Sequence, residues 1–300
     1  MGIGNYIKEI GRGKDGARAL SREQATDLLG QILDGQVTDL EVGAFCLAMR
    51  IKGETPEEMA GFLDALHARM NALANDASQA TVVIPCYNGA RKLPALAPLL
   101  ALLLVQRGVR VCVHGTATES GRTTSFDVFT AMGYTPLQDI HKASAGLNLV
   151  PTEVLSPALK KLLDVRRVVN LRNPAHSLVK LMNPCKGSAL ILSSYTHPEY
   201  AVSMAKTFQL TQANAFLIRG TEGEPVADAR RTPQMDVFHK GLTQTVQAAQ
   251  AGALQSLPEL PASSAEATAT YIQEVLQGQR EIPAPIALQV QHILQALKSL

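Results

Sequence analysis

Two short segments of this 300-residue chain combine the residue types that handle oxyanions. They are Pro85-Cys86-Tyr87-Asn88-Gly89-Ala90-Arg91-Lys92 and His114-Gly115-Thr116-Ala117-Thr118-Glu119-Ser120-Gly121-Arg122. Each follows a short β-branched run, so each reads as a loop leaving a strand. Loops that follow parallel strands are where ligands bind in sheets of this kind. A third segment, Gly11-x-Gly13-x-x-Gly16, matches the letters of the dinucleotide fingerprint. It follows no strand, so it reads as a flexible turn whose interleaved Arg12, Lys14 and Arg18 suit contact with a polyanion.

Charge gathers near the same chemistry. The chain carries 28 basic and 26 acidic residues, a net charge of only +2. Residues 160–186 nevertheless hold Lys160, Lys161, Arg166, Arg167, Arg172, Lys180 and Lys186 against Asp164 alone. Residues 1–22 hold Lys8, Arg12, Lys14, Arg18 and Arg22 against Glu9 and Asp15, whereas the last 48 residues are net acidic. Blocks of this kind can concentrate a positive field on one face of a near-neutral protein, or lie scattered as solvated helix faces. With no Trp and 4% aromatic residues the chain is poor in stacking platforms, so any nucleic-acid contact would run through the backbone rather than through base reading. Tyr87 is the one aromatic residue within the loops. His114, His176 and His197 fit no Ser-His-Asp or Cys-His arrangement, and no catalytic residue is assigned.

The elements that must position these loops are readable from caps and periodicity. Ser21 with Gln24, Thr38 with Glu41 and Thr55 with Glu58 are three successive capping boxes, each opening a helix with apolar residues at helical spacing. They predict a small helical bundle over residues 1–75. A polar stretch, Asn71 to Gln79, reads as a linker. Beyond it, residues 76–300 read as a larger α/β domain. Strands at Val82–Ile84, Val109–Val113, Ala189–Ser193 and Ala215–Ile218 alternate with helices at Leu96–Gln106, Thr124–Met132 and Pro198–Phe208, the pattern of a mostly parallel sheet. Turns are expected across 225–262. A helix capped by Ser263 with Glu266 and a closing helix at Ile286–Leu297 complete the reading.

Composition narrows the function classes. Apolar residues make up 46% and charged residues 18%, which excludes a disordered or collagen-like chain. The longest apolar stretch, Leu93 to Val105, falls short of the roughly 20 residues a membrane span needs. No apolar leader precedes Lys8 and Glu9, and Tyr6 spoils a Met-Gly start as a myristoylation signal, so a cytoplasmic protein is expected. Cys46, Cys86, Cys112 and Cys185 lie far apart with no His at ligand spacing, and are read as free thiols with no metal site.

The two loops resemble the phosphate-binding loops of anthranilate phosphoribosyltransferases and pyrimidine nucleoside phosphorylases, the glycosyltransferase family 3 fold. Gly43-Ala44-Phe45, Leu47-Ala48-Met49-Arg50 and Lys52-Gly53-Glu54-Thr55-Pro56-Glu57-Glu58 resemble that family's second and third helices. Arg167-Val168-Val169-Asn170-Leu171 is similar to its Arg-Thr-x-Phe-Asn segment, and Asn183-Pro184 to its Leu-Asn-Pro. The family's Gly-Thr-Gly-Gly-Asp loop keeps only Gly89 here, among Tyr87, Asn88, Arg91 and Lys92. Its Lys-His-Gly-Asn motif reads Val113-His114-Gly115-Thr116, without the lysine. Its metal-holding Asp-Glu pair falls at Pro225-Val226, with Glu222 and Glu224 as metal ligands under a shifted alignment. Tyr87, Asn88, Gly89, His114, Gly115 and Thr116 thus read as vestiges of a phosphate site. The departures resemble the YbiB-type branch of the family, regarded as homodimeric nucleic-acid-binding proteins without demonstrated transferase activity. That resemblance implies a dimer built through the helical subdomain of residues 1–75, joined by helices from about 155–185. It also implies a basic groove across the dimer, for which Lys8, Arg12, Lys14, Arg18, Arg91, Lys92, Arg122, Arg166, Arg167, Arg172 and Lys180 are the candidates by position. It implies no cofactor. The alternative is a transferase using phosphoribosyl pyrophosphate with magnesium.

Overall fold

The computed structural model describes residues 2–13, 15–74, 80–252, 254 and 257–300. Capping organises its first quarter, which contains α1 (Gly4–Ile10), α2 (Arg22–Leu33), α3 (Asp39–Lys52) and α4 (Pro56–His67). At the start of α2, α3 and α4 the side chain of Ser21, Thr38 or Thr55 accepts from the amide three residues on. Gln24, Glu41 and Glu58 return the bond, so all three expected capping boxes form. Helices α2 and α4 cross closely at Gly61, where a Cβ would fall 2.2 Å from the Arg22 carbonyl oxygen. Phe45 and Phe62 meet edge to face in the bundle core, with ring centroids 6.0 Å apart.

The rest of the chain alternates strand and helix. β1 (Thr81–Pro85), α5 (Ala97–Gln106), β2 (Val111–Gly115), α6 (Ser125–Ala131) and β3 (Leu147–Pro151) come first. Three helices follow: α7 (Thr152–Leu155), α8 (Pro157–Val169) and α9 (Ala175–Leu181). Then come β4 (Ala189–Tyr195), α10 (Pro198–Thr211), β5 (Ala215–Arg219), β6 (Met235–His239) and β7 (Leu242–Gln247), before α11 (Ala265–Leu276) and α12 (Ala284–Leu297). The strands form one sheet in the order β3-β2-β1-β4-β5-β6-β7. Its first five strands are parallel, and β6 and β7 pair antiparallel at the end.

Strand residues divide between two cores by alternation. Val83, Cys112, Ile191 and Leu217 face the helical bundle, sharing a core with Phe45, Phe62, Leu159 and Leu178. Val82, Ile84, Val111, Val113, Leu190 and Phe216 face the other way, against α5, α11 and α12. Covering both faces explains why β1 and β2 are buried at every position. The polar stretch after α4 is pinned where it is described: the Asn71 amide donates to Leu155 and the Leu73 amide to Pro184. Residues 75–79 of that expected linker lie outside the described residues.

The structure corrects the expected turns across 225–262. Residues 235–247 form the hairpin of β6 and β7, whose outer strand Leu-Thr-Gln-Thr-Val-Gln is largely exposed and therefore lacks an apolar signature. The cap of α11 is Ser264, which accepts from the Ala267 amide, rather than Ser263. Strand β3 is an addition, short and bracketed by Gly146 and Pro151.

Glu58 carries much of the bundle's entry. Its carboxylate is fully buried and accepts from the amides of Leu20 and Thr55 at 2.9 Å each and from Lys52 Nζ at 2.6 Å. Removing one partner of a buried pair leaves the other charge uncompensated. Glu58→Ala is therefore expected to lower unfolding stability by about 3–5 kcal/mol in a denaturant titration.

Candidate anion-binding cleft

The sheet changes direction of growth between β1 and β4, because β2 adds on one side of β1 and β4 on the other. Loops at the carboxyl ends of strands flanking such a switch point are where open α/β sheets bind ligands. Here they border a cleft of about 550 Å³, lined by Arg50 and Glu54 from the bundle, Tyr87 after β1, Arg172, His176 and Lys180 around α9, and Ser194 and Tyr195 of β4. The bundle therefore closes one wall and the sheet the other.

The loop after β1 presents its amides inward, and carboxylates of this same chain occupy them. Glu224 Oε1 accepts from the amides of Asn88 at 2.7 Å and Gly89 at 2.9 Å. Glu222 accepts from the amides of Arg91 at 2.7 Å, Lys92 at 3.1 Å and Leu93 at 3.2 Å. Gly89 sits at a φ of 72°, which favours glycine. Burial pushes the Glu224 carboxyl up from its ordinary range, opposed by the Gly89 amide, the Cys86 thiol, the Asn88 amide and Lys180. Burial also acts upward on Glu222, but its three amide donors and Arg122 outweigh it and hold that carboxyl low.

The loop after β2 supplies a third carboxylate. Glu119 accepts from Arg166 at 2.7 Å and Arg172 at 2.8 Å through Oε1, and from Arg122 at 2.6 Å through Oε2. Burial raises the Glu119 pKa, yet the bonds from Arg172 and Arg166 and the charges of Arg122 and Arg166 prevail and bring it down to about 2. Arg172 also donates to Asn88 Oδ1 at 2.9 Å, tying the two loops together. His114 and Gly115 belong to β2 itself. A Cβ on Gly115 would lie 1.9 Å from the Cys86 carbonyl oxygen, so glycine is required where the strands approach. His114 is fully buried, and neither ring nitrogen has a partner among the described residues. Burial drives its pKa down to about 3.

Lys180 lies deeper in the cleft than a groove-lining side chain should. Its Nζ donates to the Ser194 carbonyl at 2.9 Å and stands 5.9 Å from the centre of the buried Tyr87 ring. Burial lowers its pKa to about 8, with Glu224 acting upward and Arg172 downward. His176 meets the Tyr87 ring edge-on. Burial, with the charge of Arg172, brings its pKa to about 4.

The structure thus brings together Tyr87, Asn88, Gly89, Arg122, Arg166, Arg172 and Lys180. Arg91 and Lys92 stand exposed at the rim, and their side chains enter no ion pair among the described residues. Arg167 joins them, largely exposed, donating to the Ala117 carbonyl and pairing with Asp164. Thr116 is half-buried in the second loop. Lys8, Arg12 and Arg18 lie on or just after α1, where Arg12 pairs with Glu9; no described hydrogen bond or ion pair links them to the cleft. Lys14 lies outside the described residues. Sequence reasoning missed the anchoring role of Glu119, whose only signal was its place as the single acid of the loop 114–122.

Magnesium with a sugar diphosphate would need carboxylate oxygens free to ligate and loop amides free to donate. Both oxygens of Glu222 and Oε1 of Glu224 are bonded to those amides, whereas Glu224 Oε2 is buried with no partner among the described residues. The Pro225–Ala227 segment is pinned by Gln289 of α12. Among the described residues no three His, Cys, Asp or Glu side chains gather as a metal site.

A helical bundle set on a seven-stranded α/β sheet, with a cleft at the switch point, defines the phosphoribosyltransferase–nucleoside phosphorylase class of fold. Comparison with known proteins agrees. The helical bundle domain of a glycosyl transferase family matches residues 5–70. The uncharacterized protein YbiB of Escherichia coli is 39% identical over 298 residues, covering 97% of this chain and 92% of its own. The anthranilate phosphoribosyltransferase of Dictyoglomus thermophilum is 30% identical over 203 residues, 65% of this chain and 58% of that one. The Saccharomyces cerevisiae anthranilate phosphoribosyltransferase, solved in complex with PRPP and Mg, superposes with a TM-score of 0.75 at 14% identity, covering 99% of this chain and 89% of that one. The chain belongs to the family of YbiB and has the fold of the anthranilate phosphoribosyltransferases. Among the described residues no helix is long and apolar enough to cross a membrane.

The buried histidines make the cleft acid-sensitive. His114 and His176 ordinarily titrate at 6.5 but are held neutral in the fold down to about 3 and about 4. The unfolded chain takes up these protons first, so stability is full above pH 6.5 and falls as pH drops toward those values. Glu119 extends the loss from 4.5 down to about 2. Thermal melts across this range are expected to show a falling midpoint, with a shallower decline between pH 6.5 and 4 in His114→Leu.

Proposed function

We propose that the chain is a phosphate-backbone-binding protein, a largely sequence-independent nucleic-acid binder on a phosphoribosyltransferase-like scaffold. The observation that carries this reading is the occupation of the loop amides by Glu222 and Glu224, which fills the cradle a sugar diphosphate would take. Around that filled cradle the cations remain. Arg91, Lys92 and Arg167 point outward at its rim, and Arg122, Arg166 and Arg172 together outnumber Glu119 by two charges. Such a surface holds a polymer of phosphates by displacing its condensed counterions.

A second copy of the chain extends that surface. Helix α3 leaves Leu40, Leu47 and Ile51 exposed along one side, and the end of α8 leaves Val168 exposed. An apolar stripe of this kind on the bundle suits a symmetric contact between two copies.

Phosphoribosyl transfer is the second reading, favoured by what the relatives do. Several are anthranilate phosphoribosyltransferases, and the yeast structure carries PRPP and Mg. On this reading Glu222 and Glu224 must leave the loop amides before the substrate enters, and the ion must then find its ligands.

Fluorescence anisotropy with labelled DNA at several salt concentrations separates the two. With about six phosphates engaged, log affinity is expected to fall against log salt with a slope of about −4 for single strands and −5 for duplex. Arg91→Ala/Lys92→Ala weakens binding and makes the slope shallower. Light scattering on the same samples gives twice the chain mass. A flat salt response, with micromolar binding of PRPP and magnesium by calorimetry, would establish the transferase reading instead.

A further inference from the structure

Glu119 is held as a bound ligand is held. Its carboxylate is 18% exposed and receives one guanidinium bond each from Arg122, Arg166 and Arg172. These arginines come from three places: the loop after β2, the end of α8, and the turn between α8 and α9. Three cations around one carboxylate leave a net positive charge, although Arg122 also acts on Glu222. Guanidinium groups match the oxygens of carboxylate and phosphate alike, and a phosphate monoester brings three terminal oxygens and close to two charges. Arg122 and Arg172 are held in place independently of Glu119, by bonds to the Asn88 carbonyl at 3.3 Å and to Asn88 Oδ1 at 2.9 Å. The cradle therefore survives when its occupant leaves.

We infer that Glu119 is a resident stand-in for a phosphate group, and that Arg122, Arg166 and Arg172 form a binding site for a phosphate monoester or a phosphate of a nucleic-acid chain. Rotation of the Glu119 side chain toward solvent opens the site, and the incoming oxyanion takes over its three bonds. The carboxylate competes with the ligand, so occupancy is set by the difference between two anions rather than by the full attraction of three arginines. This inference rests on the phosphate-binding reading above and specifies where one phosphate is held.

Inorganic phosphate is the probe, followed by the rise in melting temperature and by calorimetry on the full chain. Glu119→Gln keeps the side-chain shape and removes the competing charge. It is expected to bind phosphate at least tenfold more tightly than the wild type, and the double variant Glu119→Gln/Arg166→Gln is expected to lose that gain. Equal affinity of Glu119→Gln and wild type would overturn the inference. Should Glu119→Gln fail to fold, the wild type carries the test. Phosphate must raise its melting temperature, Arg166→Gln must abolish the rise, and no rise in the wild type overturns the site. Labelled DNA in parallel separates the two levels: phosphate bound without DNA leaves the site standing and removes the nucleic-acid reading. DNA bound with no response to Glu119→Gln does the reverse.

Discussion

A buried carboxylate on two loop amides is the contact from which the cleft follows. Glu224 bonds Asn88 and Gly89, and through them fixes the turn that carries Tyr87 inward and Arg91 and Lys92 outward. Backbone amides gathered in a loop attract an anion whatever its source. Here the anion is covalently part of the chain, 135 residues from Gly89, and its local concentration is set by the fold. A free ligand has to compete with that carboxylate and also with Glu222 beside it. Like charges converging on one loop repel, so an incoming diphosphate meets both a lost donor and an added cost.

The same arrangement recurs at Glu119. Three glutamates thus hold oxyanion donors here: Glu222 and Glu224 on the amides of one loop, and Glu119 on arginines from three separate segments. These contacts also hold the architecture together. Arg172 ties the segment between α8 and α9 to both loops, while Glu222 and Glu224 tie the segment after β5 to the one after β1. One set of charges thus shapes the cleft.

Local signals made much of the fold readable in advance. Each of the three capping boxes needs only four consecutive residues, and all three form. The parallel strands are continuous apolar runs because both faces of the sheet are covered, and β1, β2, β4 and β5 fall where those runs lie. The hairpin of β6 and β7 escaped because its outer strand faces solvent and alternates weakly. The site was readable in part. The loops and the basic block of 160–186 were evident as composition, but apart from Glu119–Arg122 the glutamate contacts join residues 47 to 136 positions apart, beyond the reach of any motif. Lys180 shows the same limit: as a letter it belongs to the basic block, yet the fold turns it into the cleft against Tyr87 and the Ser194 carbonyl.

The account turns on who holds the amides of Asn88 and Gly89. A crystal structure of the protein with a large excess of phosphoribosyl pyrophosphate and magnesium addresses this directly. The expected result keeps Glu224 within hydrogen-bond distance of both amides, with any bound phosphate on the arginines instead. A diphosphate seated on those two amides, with Glu224 displaced onto a metal ion, would contradict it.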